Sequence, residues 1–336
     1  MKVLILGGGS IGRRHLGNWR ALRPGDELCV RKRAPDAAFS EEHQCRVVTS
    51  DAEEVAFDPD VVIVATPTSL HADGYARARA LDAHCFMEKP LVRERASLER
   101  VRGFGESPTG RAFYIGFMLR FHPLITRVKH ILDTGEFGLG KPYHARLSFG
   151  SYLPNWHPYE DYRTSYASRA ELGGGVIATI THELDLVQWL FGDPVQVTCR
   201  TGNTNRLAIE VEEQCEAIFE YDDLLVSLHL DYLQKRYDRN VVILCDEGRI
   251  TWDWHGERLL IEHAGGADHV VEAPEGYAVN ELYLDELRDF IRVIEGEPAA
   301  RELDLAHAVA NTDLMLAMYA SAAEGRTVAV DHEKQS

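Results

Sequence analysis

The chain has 336 residues, more than one compact core usually holds, so two domains are expected. It is 45% apolar and 26% charged, and 53 acidic against 36 basic residues leave a formal charge of −17. That field disfavours nucleic acid and anionic lipid as partners, and no apolar run approaches a membrane span; a cytoplasmic protein with a small-molecule ligand is expected.

Lys2–Leu6 reads as a buried first strand rather than a signal peptide, because its apolar run passes straight into glycines and arginines with no cleavage pattern. Gly7-x-Gly9-x-x-Gly12 follows directly and opens a helix over residues 12–22. In such a turn the glycines permit a tight bend, backbone approach to a pyrophosphate and close helix–strand packing. The helix start, with Ser10 and Ile11, adds amide donors and a favourable dipole, so a dinucleotide is the expected ligand. The second strand, 27–30, ends in Arg31-Lys32-Arg33. An acidic residue there commonly accepts from the adenosine ribose, whereas three cations suit a 2′-phosphate. NADP(H) is therefore expected over NAD(H), with Asp36 keeping NAD(H) open and a solvated basic turn as the plain alternative.

Residues 47–49 and 61–65 read as further parallel strands, separated by a short acidic helix at 51–55. The run 65–71 lies at a strand's carboxyl end, where open α/β sheets bind ligands, which makes Thr66, Pro67 and His71 candidate cofactor contacts. A helix over 71–81 returns the chain to a strand at 84–87 and then Glu88-Lys89-Pro90. If that strand and the glycine turn lie in one Rossmann-type sheet, the lysine at its end is expected where a bound nicotinamide meets its substrate. A strand at 114–117 closes the first domain, residues 1–122, and Leu119-Arg120-Phe121-His122-Pro123 forms the exit.

From 123 to 330 the pattern changes. After a helix at 124–134 come short alternating strands at 143–149, 195–200, 214–221, 224–231, 240–245, 249–252, 258–262 and 269–272, then helices at 280–295 and 303–323 and a polar tail at 331–336. The expected fold class is α/β: an N-terminal Rossmann dinucleotide-binding domain plus a C-terminal α/β domain with a large, mostly antiparallel open sheet. Within the second domain, Gly173-Gly174-Gly175 lets backbone approach a ligand or another backbone closely. It leads to a helix whose His182 and Asp185 are three apart, so the carboxylate can orient the imidazole. Taken alone, such a histidine serves as a cap or a core group as readily as a base. Six scattered cysteines read as buried thiols, and the histidines show no metal-ligand spacing.

The ordered set 7–15, 65–71, Glu88-Lys89-Pro90, 120–123 and 173–192 resembles the glucose–fructose oxidoreductase/inositol dehydrogenase (Gfo/Idh/MocA) family across nearly the whole chain. The resemblance implies hydride transfer between a nicotinamide and a sugar, cyclitol or related polyol, and a homodimer or homotetramer built through the C-terminal sheet. It implies that Lys89 and His182 are catalytic, that Glu88 orients Lys89 or the nicotinamide ribose, and that Arg120 lies in the cofactor motif set. Many relatives carry an aspartate shortly before the histidine; here Thr179 is its nearest counterpart, and Asp185 is a partial substitute on the other side.

The run 155–166 is the expected substrate loop, with Trp156 and Tyr162 as stacking faces and Arg163 as a carboxylate or phosphate grip. An ordinary surface loop packed by its own aromatics is the alternative. The loop and His182 together resemble a branch acting on nucleotide sugars or amino sugars. Two other activities stay open: cofactor-assisted glycoside cleavage or epimerisation without net redox change, and a non-catalytic nucleotide or sugar sensor.

Overall fold

The computed structural model describes residues 1–105, 109–158, 160–256 and 258–330; the expected polar tail 331–336 and Tyr159 of the expected substrate loop lie outside the described residues. The chain divides into two units, Met1–Met118 with Ala278–Thr312, and Leu119–Tyr277 with Asp313 onward. No helix among the described residues is long and apolar enough to cross a membrane.

The first unit holds strands β1 (Lys2–Leu6), β2 (Glu27–Arg31), β3 (Arg46–Val48), β4 (Val61–Val64), β5 (His84–Glu88) and β6 (Phe113–Gly116). They form one parallel sheet in the order β3-β2-β1-β4-β5-β6, the doubly wound arrangement. Its helices are α1 (Ser10–Leu22), α2 (Ala37–Glu42), α3 (Asp51–Phe57), α4 (His71–Ala80) and α5 (Arg95–Gly105). Helices cover both faces of such a sheet, so β1 and β4 read as unbroken apolar runs and are buried along their centres. A capping box between Ser50 and Glu53 starts α3. At Gly74 of α4 a Cβ would lie 2.6 Å from Val64, so the helix sits close on β4.

The second unit opens with α6 (Pro123–Thr134) and β7 (Pro142–Gly150), then α7 (Val176–Thr179) and α8 (Thr181–Phe191). Strands β8 (Gln196–Gly202), β9 (Gln214–Glu220), β10 (Leu225–Asp231), β11 (Asp238–Cys245), β12 (Gly248–Asp253), β13 (Arg258–His263) and β14 (His269–Glu272) follow. Helices α9 (Val279–Ile294) and α10 (Leu305–Glu324) and strand β15 (Val328–Ala329) end the described chain. The nine-stranded sheet runs β14-β13-β12-β11-β7-β10-β9-β8-β15, antiparallel except for the β7–β10 pair. Alternation sorts its two faces: on β9, Cys215, Ala217 and Phe219 are buried, while Glu216 and Ile218 are exposed. The sheet is thus covered on one side by α6, α7 and α8 and open on the other.

The linear division at residue 122 leaves 278–312 in the second domain, but the structure returns this segment to the first. Helix α9 packs along α1, with Asn18 and Asn280 hydrogen-bonded through their amides. Phe290 lies edge-on to Trp19 and Phe86, and the Tyr114 hydroxyl donates to Asp289 at 2.9 Å. The physical reason is amphipathicity: α9 carries one apolar face, and the uncovered side of α1 is where it becomes buried.

Candidate active site

In the first unit, the turn after β1 is built as its glycines require. Gly7 has φ of +110°, and a Cβ there would lie 2.5 Å from the Ala65 carbonyl oxygen. A Cβ on Gly12 would lie 1.9 Å from the Gly7 oxygen. At Gly9 a Cβ would meet nothing within 4 Å, and this residue caps α1 with no capping side chain, which leaves the first-turn amides beginning at Ser10 and Ile11 as anion donors. Beside Gly7, the Thr66 hydroxyl is buried without a partner among the described residues. Bare helix amides, open space and an orphan hydroxyl fit a dinucleotide pyrophosphate.

The basic triplet after β2 is largely neutralised. Arg31 lies 2.6 Å from the buried carboxylate of Glu54 and 3.2 Å from Asp51, which corrects its expected role as a phosphate ligand. Glu54 also takes Arg77, so one buried acid holds two guanidiniums. Lys32 stands 4.0 Å over the Phe39 ring and beside Gly8, but its ammonium is 2.5 Å from Asp36. That hydrogen bond holds the Asp36 carboxyl below its usual range. Arg33 is exposed.

The 65–71 run behaves differently from expectation at its end. His71 is 1% exposed, with Nδ1 2.7 Å from the Pro90 carbonyl and Nε2 3.0 Å from that of Thr66. It ties the turn containing Thr66 and Pro67 to the turn containing Lys89, so its ring nitrogens serve the protein rather than a cofactor. The Lys89–Pro90 peptide is cis. Glu88 is buried, and its Oε1 lies 2.7 Å from Nε2 of His15 on α1. Burial alone would raise its pKa, but the His15 hydrogen bond and the charges of His15, Lys89 and His71 hold it below the usual range.

In the second unit, Gly173 takes a left-handed φ of +88°, and Gly174 and Gly175 serve close approach of the chain to itself. A Cβ on Gly174 would lie 2.3 Å from the Tyr166 carbonyl oxygen; one on Gly175, whose φ is +113°, would lie 2.3 Å from a Glu212 carboxylate oxygen. They deliver Thr179, 4% exposed, to the end of α7 and His182, 8% exposed, to the first turn of α8. The two acids that follow His182 on α8 are engaged by arginines. Glu183 lies 2.6 Å from Arg239, itself walled by Phe149 and Trp254, and Asp185 is gripped by Arg120. Arg120 and Asp185, expected at the cofactor and the substrate, are thus a buried pair that pins α8.

The expected substrate loop spends its polar groups internally. The Trp156 indole donates to the Ser151 hydroxyl at 2.9 Å, and its ring meets Phe149 and Tyr232 edge-on. Tyr162 donates to the Leu207 carbonyl at 2.9 Å, and the exposed Arg163 forms a fork with Asp161 two residues away. Sequence reasoning gave His15 no role; its one signal is its position three residues after Gly12, on the buried face of α1.

Residues 1–103 match the model of an oxidoreductase family with an NAD-binding Rossmann fold, and residues 125–251 match the GFO/IDH/MocA C-terminal domain. The chain belongs to the Gfo/Idh/MocA family. As a member it is an oxidoreductase with an NAD-binding Rossmann unit. It is 27% identical over 313 residues to the inositol 2-dehydrogenase of Rhizobium meliloti (strain 1021), covering 87% of this chain and 88% of that protein. It is 32% identical over 213 residues to the scyllo-inositol 2-dehydrogenase (NAD(+)) of Bacillus subtilis (strain 168), covering 60% and 57%. A levoglucosan dehydrogenase solved in complex with NADH and levoglucosan matches in fold with a TM-score of 0.86 at 19% identity, over 99% of this chain and 100% of that one.

Proposed function

We propose that this Gfo/Idh/MocA member transfers a hydride between a nicotinamide and a CH–OH carbon of a cyclitol or sugar, amino-sugar and nucleotide-sugar derivatives included. The observation that carries the reading is the position of Lys89 immediately after β5, in the same parallel sheet whose β1 turn and Thr66 fit a dinucleotide. The names of the inositol and levoglucosan dehydrogenases supply the substrate class. When bound, the nicotinamide accepts or returns the hydride.

The chain's own residues supply the proton and the charge. His182 accepts the proton of the reacting hydroxyl during oxidation and returns it during reduction. Lys89 donates a hydrogen bond to the same oxygen and stabilises the alkoxide charge that develops there. Gly9, Ser10 and Ile11 hold the pyrophosphate, and Thr66 contributes its hydroxyl. With Arg31 held by Glu54 and Lys32 by Asp36, the case for NADP(H) loses its main support, and we read the cofactor as NAD(H). The exposed Ile218 and Leu225 on the open sheet support a homodimer or homotetramer joined there.

The test offers purified protein NAD⁺ with a panel of inositols, hexoses and nucleotide sugars, then NADH with the matching keto compounds, and follows nicotinamide absorbance. Net turnover with at least one polyol supports the reading. Substrate conversion without net change in absorbance argues for epimerisation or cofactor-assisted cleavage instead.

A further inference from the structure

We propose that His15 is a positioning residue for Lys89, acting through Glu88. The inference rests on reading Lys89 as the lysine that meets substrate. His15 is completely buried, 73 positions from Glu88 in the chain, and its Nε2 lies 2.7 Å from Glu88 Oε1. Its Nδ1 has no partner among the described residues. Phe86 at 5.0 Å and Tyr283 at 6.4 Å stand edge-on to the ring, and Arg14 lies over the Tyr283 ring.

A buried imidazole with one idle nitrogen costs stability that an aliphatic side chain of similar size would not. What the imidazole contributes is one N–H aimed at a buried carboxylate. That carboxylate belongs to the residue preceding Lys89, so anchoring Glu88 fixes the backbone from which the lysine projects. Among the described residues, the charged groups that act on it most strongly favour the anion: His15 from α1, Lys89 itself and His71 from α4. Tyr283 reaches the His15 ring from α9, and Arg14 lies 4.4 Å over that tyrosine's ring. His71 holds the other side of the turn through Thr66 and Pro90. With the His15 N–H removed, the buried carboxylate loses its nearest donor and takes up a proton at higher pH, and the charge beside Lys89 goes with it.

The test is carbon-13 NMR on the full chain, with labelled glutamate carboxyls and reductively methylated lysines. Glu88→Gln and Lys89→Arg assign the two signals, and wild type is compared with His15→Leu and His15→Gln. The expected result is a Glu88 midpoint shifted upward in pH in His15→Leu and returned toward wild type in His15→Gln, which keeps an N–H. In each protein the Lys89 signal should inflect at the Glu88 midpoint. NADH affinity should stay within about threefold, as for a substitution that leaves the cofactor contacts in place. An unchanged Glu88 midpoint in both variants, or a Lys89 signal blind to it, overturns the proposal. Neither readout needs turnover, so a Lys89→Met protein that keeps dehydrogenase activity would defeat the functional reading and leave this coupling standing.

Discussion

Arg120 holds Asp185 through two hydrogen bonds, Nε to Oδ2 at 2.9 Å and Nη2 to Oδ1 at 2.8 Å, with the side chains 3% and 0% exposed. The same guanidinium lies 5.3 Å over Trp189, so both ends of the pair grip α8. Removing one partner strands a buried charge. Asp185→Ala should lower stability by about 3–5 kcal/mol in urea unfolding, whereas Arg120→Met combined with Asp185→Leu should recover most of it. A loss under about 1 kcal/mol for the single change would mean the pair is solvated.

The glycine turn separates folding from binding. Gly12→Ala forces a methyl against the Gly7 carbonyl and should lower both the melting temperature and NADH affinity. Gly9→Ala places its methyl in open space at a backbone angle any residue adopts, with φ of −75°. It should leave the melting temperature unchanged and weaken NADH about tenfold or more, by standing where the pyrophosphate approaches. Equal NADH affinity in Gly9→Ala and wild type would remove the pyrophosphate from this turn.

Asp36 occupies Lys32, and it also accepts the Phe39 amide at the start of α2. Asp36→Asn keeps an acceptor for that cap and releases the ammonium. The ratio of NADPH to NADH affinity should then rise about tenfold, as for a freed cation meeting a phosphate. The measurement is nicotinamide fluorescence titration of both cofactors; an unchanged ratio would place Lys32 away from the ribose.

His229 on the open sheet lies between Asp231 and Glu216, and the hydrogen bond to Asp231, aided by Glu216, raises its pKa from the ordinary 6.5 to about 9. Because the folded value is the higher one, its contribution to stability is complete below 6.5 and disappears as pH rises through about 9. The melting-temperature gap between wild type and His229→Gln should therefore narrow across that window. A gap independent of pH would mean His229 is neutral throughout.

The strands of both sheets other than the two-residue β15 were legible in the sequence because their signals are local. Continuous apolar runs mark the parallel strands, and alternation such as Cys215, Ala217 and Phe219 marks the half-open ones. The short helix α2 was not, since six residues carry no helical period and its start depends on the Asp36 cap. Long-range pairing was equally hidden. The spacing of His182 and Asp185 says that they share a helix face, but the arginine that takes Asp185 lies 65 residues earlier. Aromatic residues in the 155–166 run suit a sugar platform and a self-packed loop alike, and nothing in their order reveals that Tyr162 bonds Leu207. Likewise, the apolar face of α9 does not name the sheet it covers.

Hydride transfer assisted by Lys89 is tested most directly by comparing wild type with Lys89→Met, each given NAD⁺ and the polyol panel, following nicotinamide absorbance alongside a cofactor-binding titration. Wild type should reduce NAD⁺ with at least one polyol. Lys89→Met should lose about a thousandfold or more of that activity at unchanged NAD⁺ affinity. Equal turnover by the two proteins, or tight NAD⁺ binding with no polyol ever oxidised, would rule out the role given to Lys89.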